Sequence, residues 1–296
     1  MKPETSIQYS ISELATLSGI KPHTIRIWEQ RYGLLQPKRT ETGIRYYCDE
    51  DLKQLMNISL LNRKGIKISK IATMCSNDMC AQVNTIETQE CSHEIIIDQL
   101  VKSMVSFDEG AFEKTINTAI LKFGFKDVMV GIIYPFLEKV GLFWLTGNIN
   151  PAQEHFISNL IRQKIIVAID GLVTNYDQNT KRVILFLPQH ELHELSLLFY
   201  CYHLKSLSHH IIYLGANLPN ADLQKVIDVY HPDYVMTILT SSLYIKNSVK
   251  LLEQTAKDNP YLLVKVAGTQ AFHLNKSTLK NLQCFTSLNE TLRFKP

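Results

Sequence analysis

The segment PQHELHELS, residues 188–196, places His190, Glu191, His193 and Glu194 within five consecutive positions, directly behind the apolar run RVILFLP. Two imidazoles and two carboxylates at that density could bind a metal, move protons, or ligate a metal-containing cofactor. The spacing excludes the zincin arrangement, which needs His-Glu-x-x-His with both histidines one helical turn apart on one face. A two-histidine metal site lacks a third ligand nearby, and no serine or cysteine nucleophile is evident, so the chain is not read as an enzyme. Two readings stay open. Either an imidazole is oriented by the carboxylate two residues before it, which fixes its tautomer for ligation, or the cluster is only the polar end of a strand.

The surrounding pattern decides where such a cluster would stand. After the polar stretch NYDQNTK, short β-branched runs (RVILFLP, HHIIYLG, DYVMTIL, YLLVKVAG) alternate with helical stretches (ELSLLFYCYHLKS, ADLQKVIDVYH, IKNSVKLLEQTAKD and a final KSTLKNL). That alternation predicts a doubly wound, Rossmann-like parallel sheet over residues 178–296. Ligands of such sheets bind outside the carboxyl ends of the strands. The loops that matter are therefore 188–193, 214–219, 239–244 and 267–271.

Taken together these loops resemble the cobalamin-binding domain of the methionine-synthase type, whose pattern is [DE]-x-H-x-x-G, then Leu-Gly with a following Pro, then Ser-x-[LT], then Gly-Gly. This chain has Glu191-Leu192-His193, YLGANLP, Ser241-Ser242-Leu243 and Gly268-Thr269. The resemblance implies His193 as the lower axial ligand of cobalt and Glu191 as the carboxylate that orients it. It also implies cofactor contacts at Ser196, Gly215, Ser241, Leu243, Gly268 and Thr269. Two glycines of the pattern are replaced, by Ser196 and Thr269, which narrows the room for a nucleotide tail beside the sheet. His190, Glu194, His209 and His210 carry no motif and read as polar loop or strand-end residues.

Residues 94–177 hold four amphipathic segments with short connections, a pattern that predicts a four-helix bundle. Within it, Trp144 precedes a Thr-Gly-Asn break, and Glu154 and His155 open the next helix. From the residues alone, Trp144 is core and His155 a satisfied polar side chain. The Trp-x9-Glu-His pattern, however, resembles the cap of light-sensing, adenosylcobalamin-dependent repressors of the MerR type. That resemblance implies Trp144, Glu154 and His155 around the upper cobalt ligand, the cofactor held between bundle and sheet, and photoreceptor behaviour through a light-labile cobalt–carbon bond. Residues 76–93, SNDMCAQVNTIETQECSH, have weak periodicity and read as a linker or a frayed helix end.

The N-terminal residues 1–75 carry twelve Lys/Arg against seven Asp/Glu, a balance of +5, whereas the remainder carries nineteen against twenty-one, or −2. A basic module on a near-neutral body points to a polyanion partner for that module alone. SISELATLS, with a Ser10/Glu13 capping box, and PHTIRIWEQRYG, with Pro22 as first helical residue and Ile25, Trp28 and Tyr32 on one face, form a helix-turn-helix. A hairpin bearing Lys38, Arg39, Arg45, Tyr46 and Tyr47 follows as a wing, and Leu52, Leu55, Ile58 and Leu61 form the buried stripe of a further helix. The string from Tyr9 to Tyr47 resembles the winged-helix DNA-binding domain of MerR-family regulators almost throughout. The resemblance implies dimeric or tetrameric binding to an inverted repeat in double-stranded promoter DNA. His23 and Thr24 would face base edges, and Arg26 and Arg45 phosphates; Arg31, Lys38, Arg39 and Tyr47 complete the expected DNA-binding set. Trp28 belongs to the core.

The six cysteines, at 48, 75, 80, 91, 201 and 284, form no CxxC pair. Reduced thiols in a cytoplasmic protein are the plain expectation, and Cys75, Cys80, Cys91 and His93 are too loosely spaced for zinc. No run approaches the roughly 18 apolar residues of a membrane span. The expected architecture is thus multidomain α plus α/β: winged helix-turn-helix (1–75), linker (76–93), four-helix bundle (94–177), parallel sheet (178–296). The function expected is a transcriptional repressor controlled by a cobalamin. The alternative is a cofactor-independent MerR-type regulator whose cobalamin-type domain serves dimerisation or binds a protein antagonist.

Overall fold

The computed structural model describes residues 9–40, 43–89, 92–145, 149–177, 180–275 and 277–285. It divides into two compact units, Met1–Ile157 and Ser158–Pro296.

The first unit begins with α1 (Ile11–Ser18), whose N-terminus is closed by the reciprocal Ser10/Glu13 capping box and which buries Leu14 and Leu17. After Gly19, in the left-handed region, α2 (Pro22–Tyr32) starts on its proline and ends at Gly33, also left-handed. Ile25 and Trp28 face inward, so Trp28 is core as expected. The wing is the antiparallel pair β1 (Lys38–Arg39) and β2 (Arg45–Tyr46), in register Lys38 to Tyr46 and Arg39 to Arg45. The next helix, α3 (Asp49–Arg63), buries Leu52, Leu55, Ile58 and Leu61 along one stripe. The short α4 (Ile68–Ile71) follows.

The segment expected as a linker is largely helix, α5 (Ser76–Gln89), with Met79 and Val83 buried one turn apart. Its polar residues dilute the helical periodicity, which is why the pattern looked weak; Cys91 lies outside the described residues. The bundle then comprises α6 (His93–Val105), α7 (Glu109–Phe123), α8 (Phe125–Val128), a π-helical turn (Met129–Ile133), α9 (Tyr134–Leu145) and α10 (Pro151–Asp170), which runs on into the second unit. Within the first unit, Asp98 on α6 joins the winged helix to the bundle: its carboxylate lies 2.5 Å from Arg63 of α3 and 3.1 Å from Lys139 of α9.

The second unit is a sheet of β3 (Arg182–Pro188), β4 (His210–Leu218), β5 (Tyr234–Ile238), β6 (Leu263–Ala267) and β7 (Leu282–Phe285). All neighbours pair parallel, in the order β4-β3-β5-β6-β7. The helices α11 (Glu194–Ser206), α12 (Asn220–Tyr230) and α13 (Ile245–Asp258) connect the first four strands. Strand β3 is apolar on both faces because both are covered. Ile184 and Phe186 join one core with Leu223, Ile227 and Leu252; Val183, Leu185 and Leu187 join another with Leu197, Tyr200 and Leu204. The final helix expected at KSTLKNL is not formed over its described residues, and the chain makes the edge strand β7 immediately afterwards. A four-residue edge strand with one polar member gives too short an alternation to compete with the helical look of the lysine-rich residues before it.

Candidate functional site

Because β3 lies between β4 and β5, the strand order reverses there, and the crevice beyond the carboxyl ends of β3 and β5 is the switch point where such sheets place their ligands. The loop after β3 turns through His190, at φ 71°, whose backbone N–H donates to the Asn217 side chain at 2.8 Å. Asn217, near the end of β4, and Tyr244, in the loop after β5, also occupy the left-handed region, and the Tyr244 ring sits 4.3 Å from that of His190. Such strained positions gather where the surrounding structure dictates the loop shape.

Glu191 is the centre of this end of the sheet. Its carboxylate is buried, with Oε2 accepting the backbone N–H groups of Thr240 and Ser241, both at 2.9 Å, from the loop after β5. Oε1 accepts the backbone N–H groups of Leu192 and His193 at 3.1 and 3.2 Å, and faces Nδ1 of His193 at 2.5 Å. Burial opposes its ionisation, but hydrogen bonds from the His193 ring and from the Ser241, Thr240 and His193 backbone outweigh that. The carboxyl is held at about 2, against an ordinary value of 4.5. An ionised carboxylate only accepts, so Nδ1 of His193 carries the proton and any ligation by this ring falls to Nε2. The His193 side chain is 61% exposed at the N-cap of α11.

The other loop residues surround this pair unequally. Ser196 is half-buried in the first turn of α11. Gly215, expected in a loop, lies within β4 opposite Phe186, at φ 75° beside an irregularity in the register. Ser241 presents its backbone N–H to Glu191 and its hydroxyl to the Leu243 N–H at 3.1 Å. Leu192 and Leu243, in the loops after β3 and β5, are 67% and 72% exposed and place apolar surface at this end of the sheet. Gly268 has φ 104°, and a Cβ there would stand 2.4 Å from the Leu239 carbonyl oxygen, so the close approach of this loop to the end of β5 admits only glycine. Thr269 beside it is exposed.

Sequence reasoning set Glu194 aside, yet it is the centre of a second network: it accepts from the Arg162 guanidinium and from the Tyr213 hydroxyl, the latter at 2.9 Å. Burial and the Glu194 carboxylate both push the Tyr213 phenol up. Nothing local announces this, because the partners lie 32 and 19 residues away. Among the described residues no group of three or more His, Cys, Asp or Glu is placed to hold a metal ion.

In the helical unit, Glu154 and His155 occupy the first turn of α10, and although neighbours in sequence their side chains meet, Nδ1 to Oε2, at 3.1 Å. The side chain of Trp144 lies outside the described residues. On the winged helix, His23, Arg26 and Arg31 project from the open side of α2, with Thr24 half-buried and its hydroxyl 3.4 Å from the His23 ring. Lys38 and Arg39 are exposed on the wing and Arg45 half-buried; the Arg39 guanidinium also donates to the Gly43 carbonyl at 3.2 Å. Tyr47 is corrected. It is fully buried, pairs through its backbone with Tyr9, and its hydroxyl donates to Glu29, so no phosphate contact is left to it. Successive strand residues face opposite ways, and the sequence gives no sign which of Tyr46 and Tyr47 turns inward.

The chain thus carries a winged helix, a helical bundle and a parallel sheet with a loop-borne imidazole. Residues 9–78 match the family model "MerR HTH family regulatory protein", and residues 96–168 match "B12 binding domain". The chain therefore joins a MerR-type helix-turn-helix to a domain of the B12-binding family, the latter matched over the helical segment. It is 26% identical to the HTH-type transcriptional repressor CarH of Myxococcus xanthus, over 77% of each chain. To CarA of the same organism, also an HTH-type transcriptional repressor, it is 27% identical over 88% of this chain and 86% of that one. A monomethylamine corrinoid protein from Methanosarcina barkeri shares the fold, with a TM-score of 0.57 at 12% identity, covering 68% of this chain and 96% of that one. The chain is thus similar to these repressors over most of its length, and its N-terminal segment to the MerR helix-turn-helix.

Proposed function

We propose that the protein is a repressor whose operator binding is controlled by a cobalamin, with His193 as the residue whose Nε2 would hold the cobalt. The observation that carries this reading is the buried Glu191 carboxylate, which fixes the tautomer and direction of an exposed imidazole at the switch point of the sheet. The chemistry of the donor set fits the group: one oriented nitrogen for the metal, with the exposed Leu192 and Leu243 in the flanking loops for an apolar macrocycle. The B12-binding match and the homology to CarH and CarA support it.

Adenosylcobalamin supplies, when bound, a cobalt–carbon bond that light can break, which is the basis for proposing a photoreceptor. The chain's own residues have separate tasks. His193 would ligate the cobalt, Glu191 holds His193, Ser241 holds Glu191, and Gly268 keeps the fourth loop close to β5. Gly215, Leu243, Ser196 and Thr269 are proposed to bound the cofactor, and Trp144, Glu154 and His155 to contact its upper ligand. On the winged helix, Arg26, Arg31, Lys38, Arg39 and Arg45 are proposed to contact phosphates, and His23 and Thr24 base edges, of an inverted repeat bound by a dimer or tetramer. Cofactor binding controls DNA affinity only as far as it favours the DNA-competent assembly over the other.

The test is to mix the purified protein with adenosylcobalamin in the dark, desalt it, and record its visible spectrum before and after green light. Co-eluting corrinoid whose spectrum shows a lower nitrogen ligand in the wild type and loses it, or whose binding weakens, in His193→Ala supports the reading. Absence of corrinoid from the protein fraction contradicts it. A second reading is favoured by Ser196 and Thr269, which stand where the cobalamin-binding pattern has glycines. Under it the same architecture regulates DNA binding without a cofactor, through dimerisation or a protein antagonist.

A further inference from the structure

The open side of α2 carries His23, Ile27 and Gln30, one turn apart in succession, with Arg26 and Arg31 beside them. Ile27 is anomalous in that company. Its neighbours Ile25 and Trp28 satisfy the core, whereas Ile27 keeps 47% of its surface in water. Among the described residues of the winged helix, one other large apolar side chain is comparably exposed, Ile44 at 65%, and it lies in the hairpin of the wing. The core thus leaves out two isoleucines, one on each of the two elements that meet DNA in a winged helix.

An isolated apolar side chain inside a polar, basic surface has one apolar counterpart in the major groove, the C5 methyl of thymine. Cytosine carries only a hydrogen at that position, and adenine and guanine present N7 beside a polar exocyclic group. A recognition helix presents its N-terminal half to base edges, and Ile27 follows His23 by one turn. We infer that Ile27 reads a thymine methyl in each half-site, making it a residue of sequence specificity rather than of general affinity. The inference rests on the DNA-binding reading of the winged helix and is independent of the cofactor.

The experiment uses the full chain, with and without adenosylcobalamin in the dark. A binding sequence is selected from random double-stranded DNA, and each thymine is then replaced singly by deoxyuridine, which removes only the methyl. The expected result is a loss of about 3- to 10-fold at one thymine per half-site. Ile27→Ala should show that loss on the unmodified sequence and no further loss on the deoxyuridine duplex, and Ile27→Val should be intermediate. The exposure of Ile27 means that neither variant disturbs the core. The inference is overturned if no thymine is sensitive in the wild type, or if Ile27→Ala retains the same deoxyuridine penalty. If the wild type selects no sequence under either condition, the DNA-binding reading falls and this inference with it. If selection succeeds but the methyl effect is absent, only this inference falls.

Discussion

The Nδ1 atom of His193 lies 2.5 Å from Oε1 of Glu191, and the other oxygen of that carboxylate is held by the loop after the neighbouring strand β5. The pair therefore does two things at once. It fixes the imidazole, and it joins two loops across the point where the strand order reverses.

Replacing Glu191 with Gln should destabilise the second unit by about 2–3 kcal/mol at neutral pH, because an amide NH2 must then face backbone donors. The sign follows from the depressed pKa. A carboxyl held at about 2 when folded and 4.5 when free contributes its full stability above about pH 4.5 and loses it as pH falls toward 2. Urea denaturation of both proteins from pH 7 to pH 3 should show the difference shrinking below about pH 4.5. A difference that stayed constant to pH 3 would contradict the ionised, hydrogen-bonded carboxylate.

Gly268→Ala should cost more than about 3 kcal/mol, since its Cβ would meet a backbone carbonyl at 2.4 Å in a left-handed conformation. Thr269→Gly, at the exposed neighbour, should leave stability within about 1 kcal/mol of wild type. Thermal melts of the two variants separate a structural glycine from a position that the ligand alone would constrain. Equal melting temperatures would contradict the close approach of Gly268 to the Leu239 carbonyl.

Arg26→Ala and Arg45→Ala should each weaken DNA binding across sequences and reduce the salt slope by about one ion. Tyr47→Phe should behave differently. It loses the hydrogen bond to Glu29, at about 1 kcal/mol of stability, and leaves the salt slope unchanged. Fluorescence anisotropy over a salt series reads all three; a flattened slope for Tyr47→Phe would return that residue to the DNA surface.

Much of this site was legible because its parts are local. The Glu191-x-His193 spacing, the apolar run before it and the alternation of strands and helices are all patterns over a few residues, and each stands where expected. What escaped were relationships that depend on distant partners. Glu194 looked idle because Arg162 and Tyr213 are remote in sequence. Tyr47 looked available because a two-residue strand gives too little alternation to tell its inward face. The helix Ser76–Gln89 was hidden by polar residues on its outer side, and β7 by its shortness.

The central claim is that a cobalamin held by His193 governs operator binding. Its most direct test is the affinity of the full chain for its selected DNA sequence, measured in the dark with and without adenosylcobalamin, then after green light, for wild type and His193→Ala. A cofactor-dependent change in affinity is expected in the wild type, reversed by light, and weakened or abolished in His193→Ala. Equal affinity under all conditions, with DNA still bound, would contradict it and favour the cofactor-independent regulator.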